Sequence, residues 1–382
     1  MKPVVIVGSG LAGYTLAREF RKRDGDAPLI LITADDGAFY SKPMLSSALA
    51  RNQTPDDLVT APAEKMAEDL NATIQTRTRV TAIDPAGRTL ATDRGETLGW
   101  RDLVLAVGAR PITVPLAGDA AGQVLRVNNL EEYRRFRAAI AAGQRIAILG
   151  PGLIGCEFAN DLAGSGYEVS VIGPDATPLG RLVPPALGQA LQQALADIGV
   201  RWNLGTTASA VNADGEELIL QLANGREVRA GVVLSAIGLR PETGLAEAAG
   251  LEIRQGIVVD RLLQTSQPHL HALGDCAEVE GLVLPFVLPL MQCARALAAT
   301  LAGTPTPVRY AAMPVVVKTP AWPVVVAPPP RQVTGEWAVT DREGGIRALF
   351  TDDNGILRGF ALGGEAVPEK QALLARLPSL LG

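Results

Sequence analysis

Residues 4–20 read VVIVGSGLAGYTLAREF, and residues 145–162 read RIAILGPGLIGCEFANDL. Each is an apolar, β-branched run, then a GxGxxG turn, then an apolar pattern of helical period. A second strand follows each: PLILITADD (28–36) and EVSVIGPD (168–175). The order strand, glycine turn, helix, strand opens a βαβ unit, and its parallel strands need right-handed crossovers. One chain therefore holds two nucleotide-binding folds.

The same layout recurs downstream of each copy. ATIQTRTRVTAID, TLATDRGETLGW and DLVLAVGA fill 72–109, and VRWNLGTTASAVNA, ELILQLANG and GVVLSAIG fill 200–238. Each half thus carries a small antiparallel insert and closes on an apolar strand. A third such strand end is HLHALGDCAE (269–278). After Gly303 the composition shifts to the Pro-rich, extended PVVVKTPAWPVVVAPPP (314–330). Three strand patterns, WAVT, IRALFTD and LRGFALGG, come next, and EKQALLARLPSLL is expected to be a short helix.

Composition narrows the function. The 382 residues carry 35 Lys+Arg against 40 Asp+Glu, a net charge of −5 that argues against nucleic acid as a partner. Cysteines stand only at 156, 276 and 293, with no CxxC, so neither a disulfide framework nor a zinc site is expected. With His269 and His271 the only histidines, no metal site is expected and a Ser-His-Asp triad has no obvious base. No signal segment is read at the start, and no apolar run reaches membrane length; the nearest, 281–291, holds two prolines. A soluble, cytoplasmic protein without membrane insertion is expected.

The chemistry lies in the turns. In Gly8-Ser9-Gly10-Leu11-Ala12-Gly13 the first glycine makes the tight turn and the second lets backbone approach a pyrophosphate. The third lets the helix pack on its strand. Asp35, 22 positions after Gly13 and just past Thr33 and Ala34, can accept hydrogen bonds from ribose hydroxyls. The second copy is Gly150-Pro151-Gly152-Leu153-Ile154-Gly155. Its second strand ends at Gly173, where an acid is usual. Asp175 lies two residues further, as a ribose contact or an ordinary loop acid. No basic cluster follows until Arg181, so NADH is expected over NADPH. In LHALGDCAE (270–278), Gly274-Asp275 places an acid where it can hold a ribityl chain.

These motifs in this order resemble the two-dinucleotide-binding flavoprotein reductases of glutathione-reductase fold, over the whole chain. AVGARP (106–111) and SAIGLRP (235–241) are similar to that family's paired motifs between its FAD and NAD(P) domains. The resemblance implies an α/β fold with two Rossmann-like domains and a small α+β C-terminal domain. The FAD domain would take 1–112 and 239–314, the NAD(H) domain 113–238, and the C-terminal domain 315–382. Disulfide reductases of the family need a CxxxxC pair and a late His-Glu pair. Here the corresponding segment is FYSKPM (39–44) and no His follows 271, so electrons would leave the flavin directly, singly, to a metal carrier.

Within the family, TADDGAFYSKPMLS (33–46), LGPGLIGCEFANDL (149–162), ALGDCAEVEGLVLPFVLPLMQCARALA (272–298) and VKTP (317–320) resemble the bacterial rubredoxin reductases. The implied cofactors are FAD and NADH, and the implied partner is rubredoxin, a small acidic iron protein. The implied activity is rubredoxin–NAD+ reduction, for example in support of alkane hydroxylation or of oxygen and peroxide detoxification. Alternatives are a reductase of a nitric oxide reductase rubredoxin domain or of a dioxygenase ferredoxin. Outside catalysis, the alternative is a flavoprotein that senses NADH.

Carried over residue by residue, the flavin site would take Gly8 to Gly13, Thr33, Ala34, Asp35, Lys42, Pro43, Val80, Ala106, Val107, Gly108, Arg110, Gly274, Asp275, Val287 and Lys318. The nicotinamide site would take Gly150, Gly152, Leu153, Ile154, Gly155, Glu157 and Gly238. Val80 would act toward adenine through its backbone. A helix over 290–301 would aim its N-terminus at the flavin pyrimidine. Glu157 and Lys318 are the catalytic candidates. Glu157 would orient the nicotinamide carboxamide or bond Lys318, and Lys318, in an apolar run, would face the flavin or Glu157. The three cysteines are expected to be packed residues, and the two histidines structural.

Overall fold

The computed structural model describes residues 1–382 and contains three five-stranded sheets. The first is parallel, in the order Leu270–Ala272, Asp102–Leu105, Val4–Val7, Leu29–Ile32, Thr73–Gln75. The second is parallel as well: Leu125–Arg126, Val232–Ser235, Arg145–Leu149, Glu168–Gly173, Arg201–Leu204. Buried on both faces, the central strands Val4–Val7, Leu29–Ile32, Arg145–Leu149 and Val232–Ser235 are near-continuous Val, Ile, Leu and Ala runs with little alternation. Each sheet carries a three-stranded antiparallel meander, over 80–99 in the first case and 208–230 in the second.

The third sheet is antiparallel: Val315–Val317, Val324–Ala327, Leu357–Gly364, Gly345–Asp352, Gly335–Arg342. The Pro-rich run contributes its first two strands. Prolines 314, 320 and 323 fall outside those strands, where no ladder N–H is lost. The C-terminal helical pattern reduces to Lys370–Leu374, since Pro378 bars a longer helix.

The helix expected over 290–301 begins earlier, at Val287, and runs to Leu301. Pro289 sits in its first turn, where the backbone N–H has no acceptor in any helix, so proline costs nothing there. This helix packs on Leu11–Arg21, the helix after the first glycine turn.

Packing joins what the strand order separates. Leu45, Ala48 and Leu58, from the segment after the first βαβ unit, lie in one core with Leu162 and Val171 of the second sheet's layer. Val317, Val324 and Ala348 of the third sheet share that core. The segment 42–58 therefore packs into the core shared by the second and third sheets. No helix is long and apolar enough to cross a membrane.

Candidate functional site

The two glycine turns have the same backbone. Gly8 has φ +111° and Gly150 φ +108°, conformations that a side chain would strain. A Cβ on Gly13 would lie 1.9 Å from the Gly8 carbonyl oxygen, and one on Gly155 would lie 1.8 Å from that of Gly150. Gly10 and Gly152 cap the following helices without a side-chain hydrogen bond, and each faces open space. Each helix thus starts with free N–H donors over a shallow cradle that a Cβ would fill. That suits a pyrophosphate.

The acids follow from strand register. Val7 pairs with Ile32, and the Gly8 N–H donates to the Ile32 carbonyl. Leu149 pairs with Ile172, and the Gly150 N–H donates to the Ile172 carbonyl. Asp35 and Asp175 each lie three residues past that carbonyl, so Asp175 occupies the place of Asp35. Asp35 Oδ1 accepts from Thr33 Oγ1 at 2.6 Å, from the Gly37 N–H at 2.9 Å and from Ser9 Oγ at 3.1 Å. Asp175 faces the Arg181 guanidinium at 3.3 Å. Gly173 has a plain reason for lacking a side chain: a Cβ there would lie 2.1 Å from Pro151 Cδ.

Between the turns stand four charged groups. Gly274 (φ +79°) packs on Ala12 of the first turn, which places Asp275 over that turn. Asp275 and Lys42 feel each other's charge, yet neither has a hydrogen-bond or ion-pair partner in the chain. Burial pushes the Asp275 carboxyl up and the Lys42 ammonium down, each opposed by the other. Half-buried charged groups without a partner, beside a glycine cradle, fit a ligand with hydroxyls and phosphates.

The other pair is closed. The Lys318 ammonium meets the buried Glu157 carboxylate, and the Lys318 backbone N–H donates to Glu157 Oε1 at 3.0 Å. Ser46 Oγ donates to Glu157 Oε2 at 2.5 Å. Of the two alternatives for Glu157, the structure brings it to Lys318.

The remaining candidates divide. Ala106 accepts close approach from Gly8, Val80 is buried at the head of strand Val80–Asp84, and Pro43 opens the 3₁₀ turn Lys42–Ser47. Gly108 and Gly238 lie on the hydrogen-bonded crossing of Ala109–Pro111 with Leu239–Pro241, so the paired motifs pair in space. Val287 is exposed at its helix start, as is Ile154 beside the second turn. Arg110 turns outward toward Glu242 at 3.8 Å. Cys156, Cys276 and Cys293 are free and buried, and burial pushes the Cys276 thiol up to about 12 and that of Cys293 up to about 11. Such thiols are poor nucleophiles.

Sequence reasoning missed Ser46, Asn160, Asp161 and Thr206. The Thr206 hydroxyl is buried without a partner, in a residue whose backbone N–H donates to the Gly173 carbonyl. Asn160 and Asp161 carried one legible signal: with Glu157 they are the only charged or amide residues on an otherwise apolar helix. Nothing marked Ser46 or Thr206.

Two dinucleotide cradles, one carrying a half-buried acid and lysine, define an oxidoreductase that passes electrons between two bound nucleotides. Residues 2–299 match the family model described as pyridine nucleotide-disulphide oxidoreductase, and 307–377 match the rubredoxin binding C-terminal domain. The chain belongs to the pyridine nucleotide-disulphide oxidoreductase family. It is 49% identical over 383 residues to rubredoxin-NAD(+) reductase of Alcanivorax borkumensis, covering 100% of both chains. It is 46% identical to that of Acinetobacter baylyi, covering 100% of this chain and 99% of the other. Among solved structures it is similar to that of the covalent putidaredoxin reductase–putidaredoxin complex. There the TM-score is 0.89 at 26% identity, over 99% of this chain and 94% of that one.

Proposed function

We propose that this chain carries electrons from NADH, through bound FAD, to rubredoxin. The match of residues 307–377 to a rubredoxin binding domain, on the same chain as two dinucleotide cradles, carries this reading. The full-length likeness to rubredoxin-NAD(+) reductases supports it.

The residues divide the work as follows. Gly8 to Gly13, with the helix amides behind them, hold the FAD pyrophosphate, and Asp35 takes ribose hydroxyls. Thr33, Ala34 and Val80 line the adenosine, and Ala106 to Gly108 flank the turn. Asp275 takes ribityl hydroxyls, and Lys42 and Pro43 cover the ring system. Val287 to Met291 bring a helix N-terminus toward the pyrimidine. The turn from Gly150 to Gly155 holds the NADH pyrophosphate, with Asp175 at the adenosine ribose and Gly238 at the nicotinamide half. FAD, when bound, supplies an acceptor for hydride and a donor of single electrons. Lys318 places a cation beside the flavin, where positive charge favours the electron-rich ring, and Glu157 holds that cation in place. Three buried thiols that stay free accord with a cytoplasmic, reducing setting.

The test is steady-state turnover of the FAD-loaded chain with NADH and purified carriers. Rubredoxin should be reduced at least about tenfold faster, as kcat/KM, than a [2Fe–2S] ferredoxin, about 1.4 kcal/mol of discrimination. A higher rate with ferredoxin would overturn the carrier. Little stimulation by any carrier, with a long-lived reduced flavin, would favour the sensor alternative.

A further inference from the structure

Helix Leu153–Gly164 begins at the second glycine turn and then departs from apolar character on one face. Glu157, Asn160 and Asp161 stand at i, i+3 and i+4 and so share that face. They are 3%, 7% and 2% exposed. Three polar side chains buried together cost free energy unless each finds a partner.

Every one of their partners comes from outside the second sheet's domain. Asp161 Oδ1 accepts from the Ala50 N–H at 2.9 Å and Oδ2 from the Leu49 N–H at 3.1 Å. Asn160 Oδ1 accepts from the Ala321 N–H at 3.1 Å. Glu157 binds Ser46 Oγ and both nitrogens of Lys318. One helical turn therefore grips two segments, 46–50 and 318–321. The first takes in the end of the 3₁₀ turn that starts at Lys42; the second starts at Lys318 itself. A single 3₁₀ turn and a strand end hold little shape alone.

We propose that Asn160 and Asp161 are positioning residues that set Lys318 and Lys42, respectively, against the flavin. The helix that cradles NADH is then also the rigid part that holds both lysines. This rests on the FAD assignment above, but not on the identity of the carrier. It makes Asn160 specific to the Lys318 side and Asp161 specific to the Lys42 side, because their backbone partners do not overlap.

The experiment compares Asp161→Ala, Asp161→Asn, Asn160→Ala and Asn160→Asp as full chains. Two quantities are read: the Kd of FAD for the stripped protein, and the flavin midpoint potential of the loaded fraction. Asp161→Ala should weaken FAD about tenfold, the scale of one charge-assisted hydrogen bond. Asp161→Asn, which keeps one acceptor oxygen, should lose less, and it serves if Asp161→Ala does not fold. Asn160→Ala should make the potential more negative, and Asn160→Asp, which keeps the acceptor for Ala321, should restore it. On a Lys318→Met background, Asn160→Ala should shift the potential no further. Variants that melt at lower temperature, yet bind FAD with parental Kd and potential, would overturn the proposal. So would additive shifts in the Asn160–Lys318 pair. If the parent chain binds FAD but reduces no rubredoxin, the proposed function fails while these shifts still decide the positioning roles.

Discussion

In the first glycine turn Ser9 Oγ donates to Thr33 Oγ1 at 2.8 Å, and Thr33 in turn donates to Asp35. At the same places in the second turn, Pro151 lies on Gly173, and Asp175 meets only the exposed Arg181. The backbones agree closely, so the glycines do the same work twice. The shells differ. The first acid is fixed by three internal donors before any ligand arrives, which lowers the ordering cost of binding. The second is held by one long, solvent-exposed side chain and can readjust. A fixed shell suits a cofactor that stays, and an adjustable one a substrate that comes and goes.

The severest test is to fill each turn. Gly13→Ala puts a Cβ on the Gly8 carbonyl oxygen, a backbone clash beyond the about 1–3 kcal/mol of ordinary overpacking. Purified protein should be colourless, with FAD weakened roughly a hundredfold or more, about 2.7 kcal/mol. Gly155→Ala should leave the protein yellow while NADH turnover falls by a similar factor. Loss of flavin from both variants would mean that the turns do not act independently.

Next in size is Asp275→Ala. It removes the half-buried acid over the first turn and the stronger of the two negative charges that Lys42 feels, leaving only the more weakly felt Glu132. FAD should weaken by about tenfold to a hundredfold, 1.4–2.7 kcal/mol, with the melting of the second domain unchanged. Intact FAD affinity would exclude a ribityl contact.

Smaller effects should separate the acids. The parent chain should prefer NADH to NADPH. Asp175→Ala should cut that preference by roughly tenfold, about 1.4 kcal/mol, because it removes a ribose acceptor and frees Arg181 for a 2′-phosphate. Asp175→Ala with Arg181→Ala should lose the NADPH gain. Asp35→Ala should lower FAD affinity and leave the nucleotide preference alone; a changed preference would undo the assignment of the two turns.

The smallest effect belongs to the thiols. Cys156, Cys276 and Cys293 changed together to Ala should keep turnover within about twofold, at a stability cost on the order of 1–3 kcal/mol for lost packing. Loss of more than about 90% of activity in a folded variant would expose a redox thiol, and Cys276, beside Asp275, would be the first to examine.

The linear chain was enough for whatever depends on neighbours in sequence. Both glycine turns, the strands that flank them and the acid Asp35 could be read because turn geometry, helix period and β-branched runs are local. The pairing of the two motifs at 106–111 and 235–241 came from resemblance to a family. Tertiary structure decided three things. Asp175 took the place of Asp35 because two strands pair in matching register, which spacing from Gly155 obscures. Segment 42–58 joined the second and third sheets because Leu45 and Leu58 bury there, and hydrophobic residues name no partner in advance. Ser46, Asn160 and Asp161 entered the site because α-carbons more than 100 positions apart were brought together, so that buried polar atoms could find their donors and acceptors only in the folded chain.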